Sequence, residues 1–285
     1  MAVATRPCEA GGAIVERSGE VAAARPARSI AECPECGGTG LCTSPITEGG
    51  RVYQAVTPCP RARLLRQTTL FNEARLPAVH AASTFESYRP SNAEQARGLG
   101  VARDFALRYP AARGFIVSGP VGTGKTHLLA AALRHLTLEL GVKAGYVEIS
   151  LLYAQIRRGF QDGKSGGEII GPLSRLDVLA IDELGKGRGS AFELETLDEL
   201  IARRYNASKV TLFATNYSLK APEERSQQRG LTDTAALLEA GKDSRLLCDR
   251  VGDRIYSRLC ELCEFVEFPP GSPDARRSPM LARKR

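Results

Sequence analysis

No apolar run in this chain approaches the roughly 20 residues a membrane-spanning helix needs, and the start MAVATRPCEAGGAIVERSGEVAAARPARS has no apolar core of the kind a secretory signal carries. Membrane and secreted classes are set aside, and the cytoplasm is the expected compartment. Glu9, Glu16 and Glu20 also exclude the acid-poor transit peptides that the N-terminal arginines imitate. Residues 1–32 read instead as a disordered Ala/Gly/Arg leader. Histidine is scarce: His80, His127 and His135 are too scattered to suggest one catalytic or metal-binding cluster. No internal repeat is present. Acidic residues fall short of basic ones, 32 against 39, so the net charge of +7 points to an anionic polymer as partner, nucleic acid first.

What is present suffices for one substantial core and a small accessory module: 285 residues, 43% of them hydrophobic. After the leader, residues 33–66 are turn-rich and hold four of the eight cysteines. Residues 67–112 read as a connecting segment closed by the helix AEQARGLGVARDFALRYP. From 113 to 268 strands and helices alternate. RGFIVSG, VKAGYVEI, RLDVLAIDEL, KVTLFATN and CEFVEF read as strands; THLLAAALRHLTLEL, LLYAQIRRGF and SAFELETLDELIARRYN read as helices. That alternation predicts an α/β fold with a five-stranded parallel sheet. Residues 221–247 are polar and unassigned, and 269–285 form a Pro-rich basic tail expected to be disordered.

The stretch GPVGTGKTHLL fits G-x-x-x-x-G-K-[ST] between a strand and a helix. Gly119, Pro120, Val121, Gly122, Thr123 and Gly124 would wrap phosphates with inward N–H groups, Lys125 would reach the outer phosphates and the Thr126 hydroxyl would hold Mg²⁺. Such a loop needs a metal-holding acid and a group that orients water. Asp182, at the end of its strand, suits the first task and Glu183 the second. Asn216, ending LFATN, is placed to position the same water, although Asn at a strand end is also an ordinary turn residue.

With GPVGTGKTHL, IDELG and ATN in this order and spacing, the chain resembles the AAA+ ATPases, specifically the DnaC/IstB branch of helicase loaders and transposition ATPases. The resemblance covers roughly residues 83–268. It implies ATP and Mg²⁺ as ligands, and it puts an arginine finger on Arg258 within VGDRIYSRL, with Arg254 one helical turn earlier on the same face. A finger donated in trans implies hydrolysis completed across a subunit interface and self-association on ATP or a partner. Only 27 residues follow Arg258, so no full lid domain and no second sensor arginine are expected. TFESYRP matches the branch's TF-x-x-[FY] lead into the core, where Phe85 and Tyr88 would flank adenine or simply pack.

Cys33, Cys36, Cys42 and Cys59 are spaced C-x2-C-x5-C-x16-C around CPECGGTGLC. In a reducing compartment this reads as a zinc-knuckle-like thiolate site rather than disulfides. The helicase loaders resemble it with a C-x2-C start and a later C-x-C pair; here Arg61 stands where the second late cysteine would be, and Cys42 is the substitute. A degenerate, metal-free knuckle and a site completed by another ligand remain alternatives. Cys248, Cys260 and Cys263 read as small buried side chains.

These readings combine into an ATP-dependent loader of the replicative helicase that binds single-stranded DNA through its charge. Arg157 and Arg158 and the tail residues Arg283, Lys284 and Arg285 are the candidate DNA contacts. The competing functions are an IstB-like transposition ATPase and a nucleotide-gated adaptor with little hydrolysis.

Overall fold

A computed structural model of the chain describes residues 11–219 and 246–277. It divides into two compact units, one of residues up to 82 with 134–142, the other of 83–133 and 143 onward.

Residues 1–10 of the expected disordered leader lie outside the described residues, and in the first unit the described part of it contains a hairpin. Strands β1 (Ala13–Ser18) and β2 (Val21–Pro26) pair antiparallel across a two-residue turn in which Gly19 takes φ +59°. Alternation along β2 buries Ala22 and Ala24. Asn72 of helix α1 (Pro60–Glu73) then satisfies the backbone of Ala24, accepting its N–H at 2.6 Å and donating to its carbonyl at 3.0 Å. Alanines look like disordered composition, but in a strand they let a helix approach closely. A second hairpin, β3 (Leu41–Glu48) and β4 (Arg51–Pro58), turns at Gly49 and Gly50, both at positive φ. Helix α1 begins at Pro60, directly after Cys59, and runs continuously past residue 66. The expected division between cysteine module and connecting segment therefore falls inside one helix.

The second unit carries the anticipated parallel sheet, in the order β6-β7-β8-β5-β9, from β5 (Gly114–Ser118), β6 (Ala144–Glu148), β7 (Val178–Asp182), β8 (Val210–Thr215) and β9 (Cys263–Glu267). Strands β5 and β7 are buried throughout, as strands covered on both faces must be, which explains their unbroken apolar sequences. The helices are α2 (Ala93–Arg108), α3 (Lys125–Leu138), α4 (Ile149–Gln161), α5 (Gly166–Arg175), α6 (Ala191–Asn206), α7 (Leu247–Val251) and α8 (Asp253–Leu262). Caps place two of them: the Asn92 side chain accepts the N–H of Gln95 at the start of α2, and Ser190 accepts that of Glu193 at the start of α6.

Ile116, Leu179, Ile181 and Phe213 from the sheet pack with Leu197, Ile201 and Leu259 from the helices. Because β8 lies between β5 and β7, the C-terminal ends of those three strands are adjacent, and the crevice of a parallel sheet opens there. No helix among the described residues is long and apolar enough to cross a membrane. The unassigned segment lies outside the described residues apart from 246 and 247, as does the end of the tail from 278.

Candidate nucleotide site and thiol cluster

Residues 119–124 leave β5 and deliver Lys125 to the first turn of α3. Gly124 has φ +88°, and a Cβ there would stand 2.5 Å from the Tyr88 ring, so glycine is required twice over. Tyr88 is buried, donates its phenol to the Thr123 carbonyl at 3.0 Å and meets His127 edge-on at 5.3 Å. Its hydroxyl and ring thus brace the phosphate loop from within the core. Phe85 is buried as well.

Lys125 is 8% exposed and donates to the carbonyls of Gly119 and Pro120, both at 2.7 Å. Burial pulls its ammonium down to about 8, against the pull of Asp182 in the other direction. Thr126 donates its hydroxyl to one Asp182 oxygen at 2.7 Å, and the other oxygen accepts the Glu183 N–H at 2.8 Å. A hydroxyl and a carboxylate one hydrogen bond apart at the edge of a phosphate loop are a donor set that fits Mg²⁺.

Tyr146 was not legible as a site residue. Its phenol donates to the same Asp182 oxygen at 2.9 Å, and only the pairing of β6 with β7 brings it there. Burial, reinforced by that carboxylate, pushes the phenol well above its ordinary pKa.

Glu183 holds φ +56°, a left-handed backbone that costs a non-glycine residue on the order of 1 kcal/mol or more. The residue that follows is fixed at both of its backbone groups: Leu184 donates its N–H to the Ala214 carbonyl at 2.9 Å and accepts at its own carbonyl from the Thr215 hydroxyl at 2.7 Å. Burial raises the Glu183 carboxyl above its usual range while Lys186, paired with it, opposes the rise. Lys186 also lies 3.5 Å from Glu148.

Buried Arg250 organises the following loop, donating to the carbonyls of Gly185 at 3.0 Å and Gly187 at 2.6 Å, with its guanidinium 5.1 Å from the Tyr217 ring centre. Lys186 and Arg250 carry no motif and could not have been found by spacing. Asn216 is exposed at the end of β8, between the strand ends that bear the phosphate loop and the acids.

Arg254 and Arg258 share a face of α8, as their spacing predicts. Both bind within the chain to Asp198 of α6: Arg258 at 2.6 Å and one-fifth exposed, Arg254 at 3.5 Å and largely exposed. Arg258 also lies over Tyr205, 5.8 Å from the ring centre. Its described bonds run to α6 and away from the phosphate loop. Arg157 is 3.4 Å from Glu193, while Arg158 is simply exposed.

In the first unit the sulfurs of Cys33, Cys36 and Cys59 lie within 4.8 Å of one another, Cys33 to Cys59 at 3.6 Å. A tetrahedral thiolate set with 2.3 Å zinc bonds spaces its sulfurs about 3.8 Å apart, so the three fit. Turns fold the knuckle, with Gly37 donating to the Cys33 carbonyl and Thr39 to that of Cys36, both at 2.9 Å. Burial acts to raise the Cys59 thiol, but the N–H groups of Ala62 and Arg61 at the start of α1 outweigh it and leave it below its ordinary value.

Cys42, half-buried, packs against the three without joining their mutual 4.8 Å set; its sulfur is 3.6 Å from a Glu35 oxygen, and burial, with the neighbouring Cys59 thiol, pushes its pKa up to about 11. Arg61 is no ligand substitute. It donates to the carbonyls of Ser29 at 3.0 Å and Glu32 at 3.1 Å, pinning the chain that enters the knuckle. Cys248 and Cys263 are buried as expected, whereas Cys260 is exposed on α8.

A parallel sheet with a phosphate loop after β5 and adjacent acids after β7 defines an α/β nucleotide-binding core of the AAA+ type. The chain belongs to the family of IstB-like ATP binding proteins, whose model matches residues 61–240. It is similar to the replicative helicase loader DnaC of Escherichia coli strain K12, 28% identical over 160 residues, which are 55% of this chain and 65% of that protein. The match thus spans just under two thirds of that relative's length. It is equally similar, at 28% over 160 residues, to the uncharacterized protein YdaV of the same strain, covering 56% and 64% of the two chains. Among solved structures, a DnaC helicase loader superposes with TM-score 0.54 at 25% identity, over 67% of this chain and 99% of its own. A replication initiator DnaA bound to AMPPCP and single-stranded DNA shares the fold at TM-score 0.50 and 19% identity, over 66% of this chain and 50% of its own.

Proposed function

We propose that the chain is an ATP-hydrolysing loader of a replicative DNA helicase, with the cysteine module contacting the helicase and the second unit using ATP. The observation that carries the reading is the set Lys125, Thr126, Asp182 and Glu183, gathered at the C-terminal ends of β5 and β7, the two strands that flank β8. Lys125 binds the outer phosphates when it leaves the loop carbonyls. Thr126 and Asp182 would hold Mg²⁺, which would offset the charge of the phosphates. Glu183, released from Lys186, accepts the proton of the attacking water, and a carboxyl already raised by burial is the better base. Asn216 holds that water from the neighbouring strand. Arg258, leaving Asp198, completes the site of an adjacent subunit. Single-stranded DNA is held by charge, through Arg157, Arg158 and the basic tail, whose last residues lie outside the described part.

Capture of a purified replicative helicase on the immobilised protein tests the loader reading, and it should succeed with ATP present. Retained ATP binding without capture would favour the second reading, a transposition ATPase, to which the family's IstB-like description lends weight.

Metal analysis of protein purified without chelator should give about one zinc per chain. Cys33→Ser should lose that zinc together with helicase capture while leaving nucleotide affinity intact. Undetectable zinc in the unaltered protein would remove metal from the account of the module.

A further inference from the structure

The segment after β9, expected to be a disordered tail, folds back onto the phosphate loop. Phe268 donates its N–H to the Ser118 carbonyl at 2.8 Å, and Ser272, 9% exposed, accepts from the Asn92 side chain at 2.9 Å. Ala275 then donates its N–H to the carbonyl of Gly122 at 3.0 Å. Asp274 sits directly on Gly122, where an added Cβ would lie 1.9 Å from the carboxylate. That oxygen of Asp274 accepts the Arg276 N–H at 2.9 Å and lies 3.5 Å from its guanidinium Nε. Asn92 and Gln95 close the circuit, since Gln95 donates to the Thr123 carbonyl at 3.4 Å. The strap is thus bonded to the loop that takes the phosphates.

A carboxylate resting on an anion-binding loop is electrostatically unfavourable unless it serves a cation beside it, and Arg276 is that cation. Its side chain is 61% exposed and so free to turn from Asp274 toward a ligand. After burial and Asp182, the charge of Arg276 is among the influences on Lys125, which it lowers, so its field reaches the ammonium meant for the phosphates. Among the described residues no helical domain follows β9 to supply such a group.

We infer that residues 269–276 form a nucleotide-sensing strap in which Arg276 binds the outer phosphates of the nucleotide in its own chain and Asp274 is the positioning residue that aims it. The inference rests on the reading of Lys125 and its loop as the ATP site.

Equilibrium binding of fluorescent ATP and ADP analogues to the full chain, with Mg²⁺ at fixed salt, tests it. Arg276→Ala should weaken ATP binding about tenfold and ADP binding much less, the loss expected for one charge-assisted phosphate contact. Arg276→Lys should recover part of the loss. Asp274→Ala should weaken ATP in the same direction, and the double substitution should be no worse than Arg276→Ala alone, because the role inferred for Asp274 is to aim Arg276.

Unchanged ATP affinity in Arg276→Ala, with Lys125→Ala unable to bind, would overturn the strap and leave the site reading standing. Tighter ATP binding in Asp274→Ala would also overturn it, because the carboxylate would then merely repel phosphate. Normal binding by Lys125→Ala would sink the site reading itself.

Discussion

Protein carrying Glu183→Gln should bind ATP as tightly as the unaltered chain yet hydrolyse it more slowly by a factor on the order of 10²–10⁴, the range for loss of a positioned general base. Lys125→Ala should instead lose tight ATP binding altogether. The separation follows from geometry. Lys125 is held at the mouth of the loop, with the Gly119 and Pro120 carbonyls as its present partners, and its ammonium is the group that phosphate oxygens would capture. Glu183 follows Asp182 on a left-handed backbone, its N–H bonded to one Asp182 oxygen and its own carboxylate paired with Lys186. Glutamine preserves its size and removes only its capacity to take a proton. Equilibrium binding and phosphate release, measured on the same preparations, check both halves. Full-rate hydrolysis by Glu183→Gln would reassign the base.

A mixture should do what neither of its components can. Arg258→Ala protein and Lys125→Ala protein should each turn ATP over at a small fraction of the normal rate, since a finger contributes about 10³–10⁵. Combined, they should regain activity at interfaces where an intact loop meets an intact finger. In the single chain Arg258 is bound to Asp198 and stacked near Tyr205, so assembly must exchange that ion pair for the neighbour's phosphate. Turnover by the unaltered protein should accordingly rise with its concentration, or when helicase and single-stranded DNA gather subunits. No recovery on mixing, with association shown independently by light scattering, would make Arg258 a structural partner of Asp198 and favour the adaptor function.

The phosphate loop, the acids and the five core strands were legible because each is specified locally. Glycines at fixed offsets force the loop, unbroken apolar runs mark strands covered on both faces, and polar residues at their C-terminal ends fall in the crevice of a parallel sheet. The spacing of Arg254 and Arg258 gave their shared helix face for the same reason. The cysteine spacing brought three sulfurs together, because a C-x2-C knuckle is a local turn and the third thiol begins the next helix.

Tertiary structure decided the rest. Tyr146 reaches Asp182 through strand register, Tyr88 serves the loop from beneath, and Arg250 fixes the loop after Glu183 from a helix 65 residues away. The N-terminal alanines form a hairpin only because Asn72 and α1 complete it, and the Pro-rich tail is ordered as far as Arg276 by the loop it covers. A sequence fixes whatever a few neighbouring residues can enforce through sterics and hydrogen bonding. Partners supplied from distant segments depend on register and packing across the whole sheet, which no local pattern records.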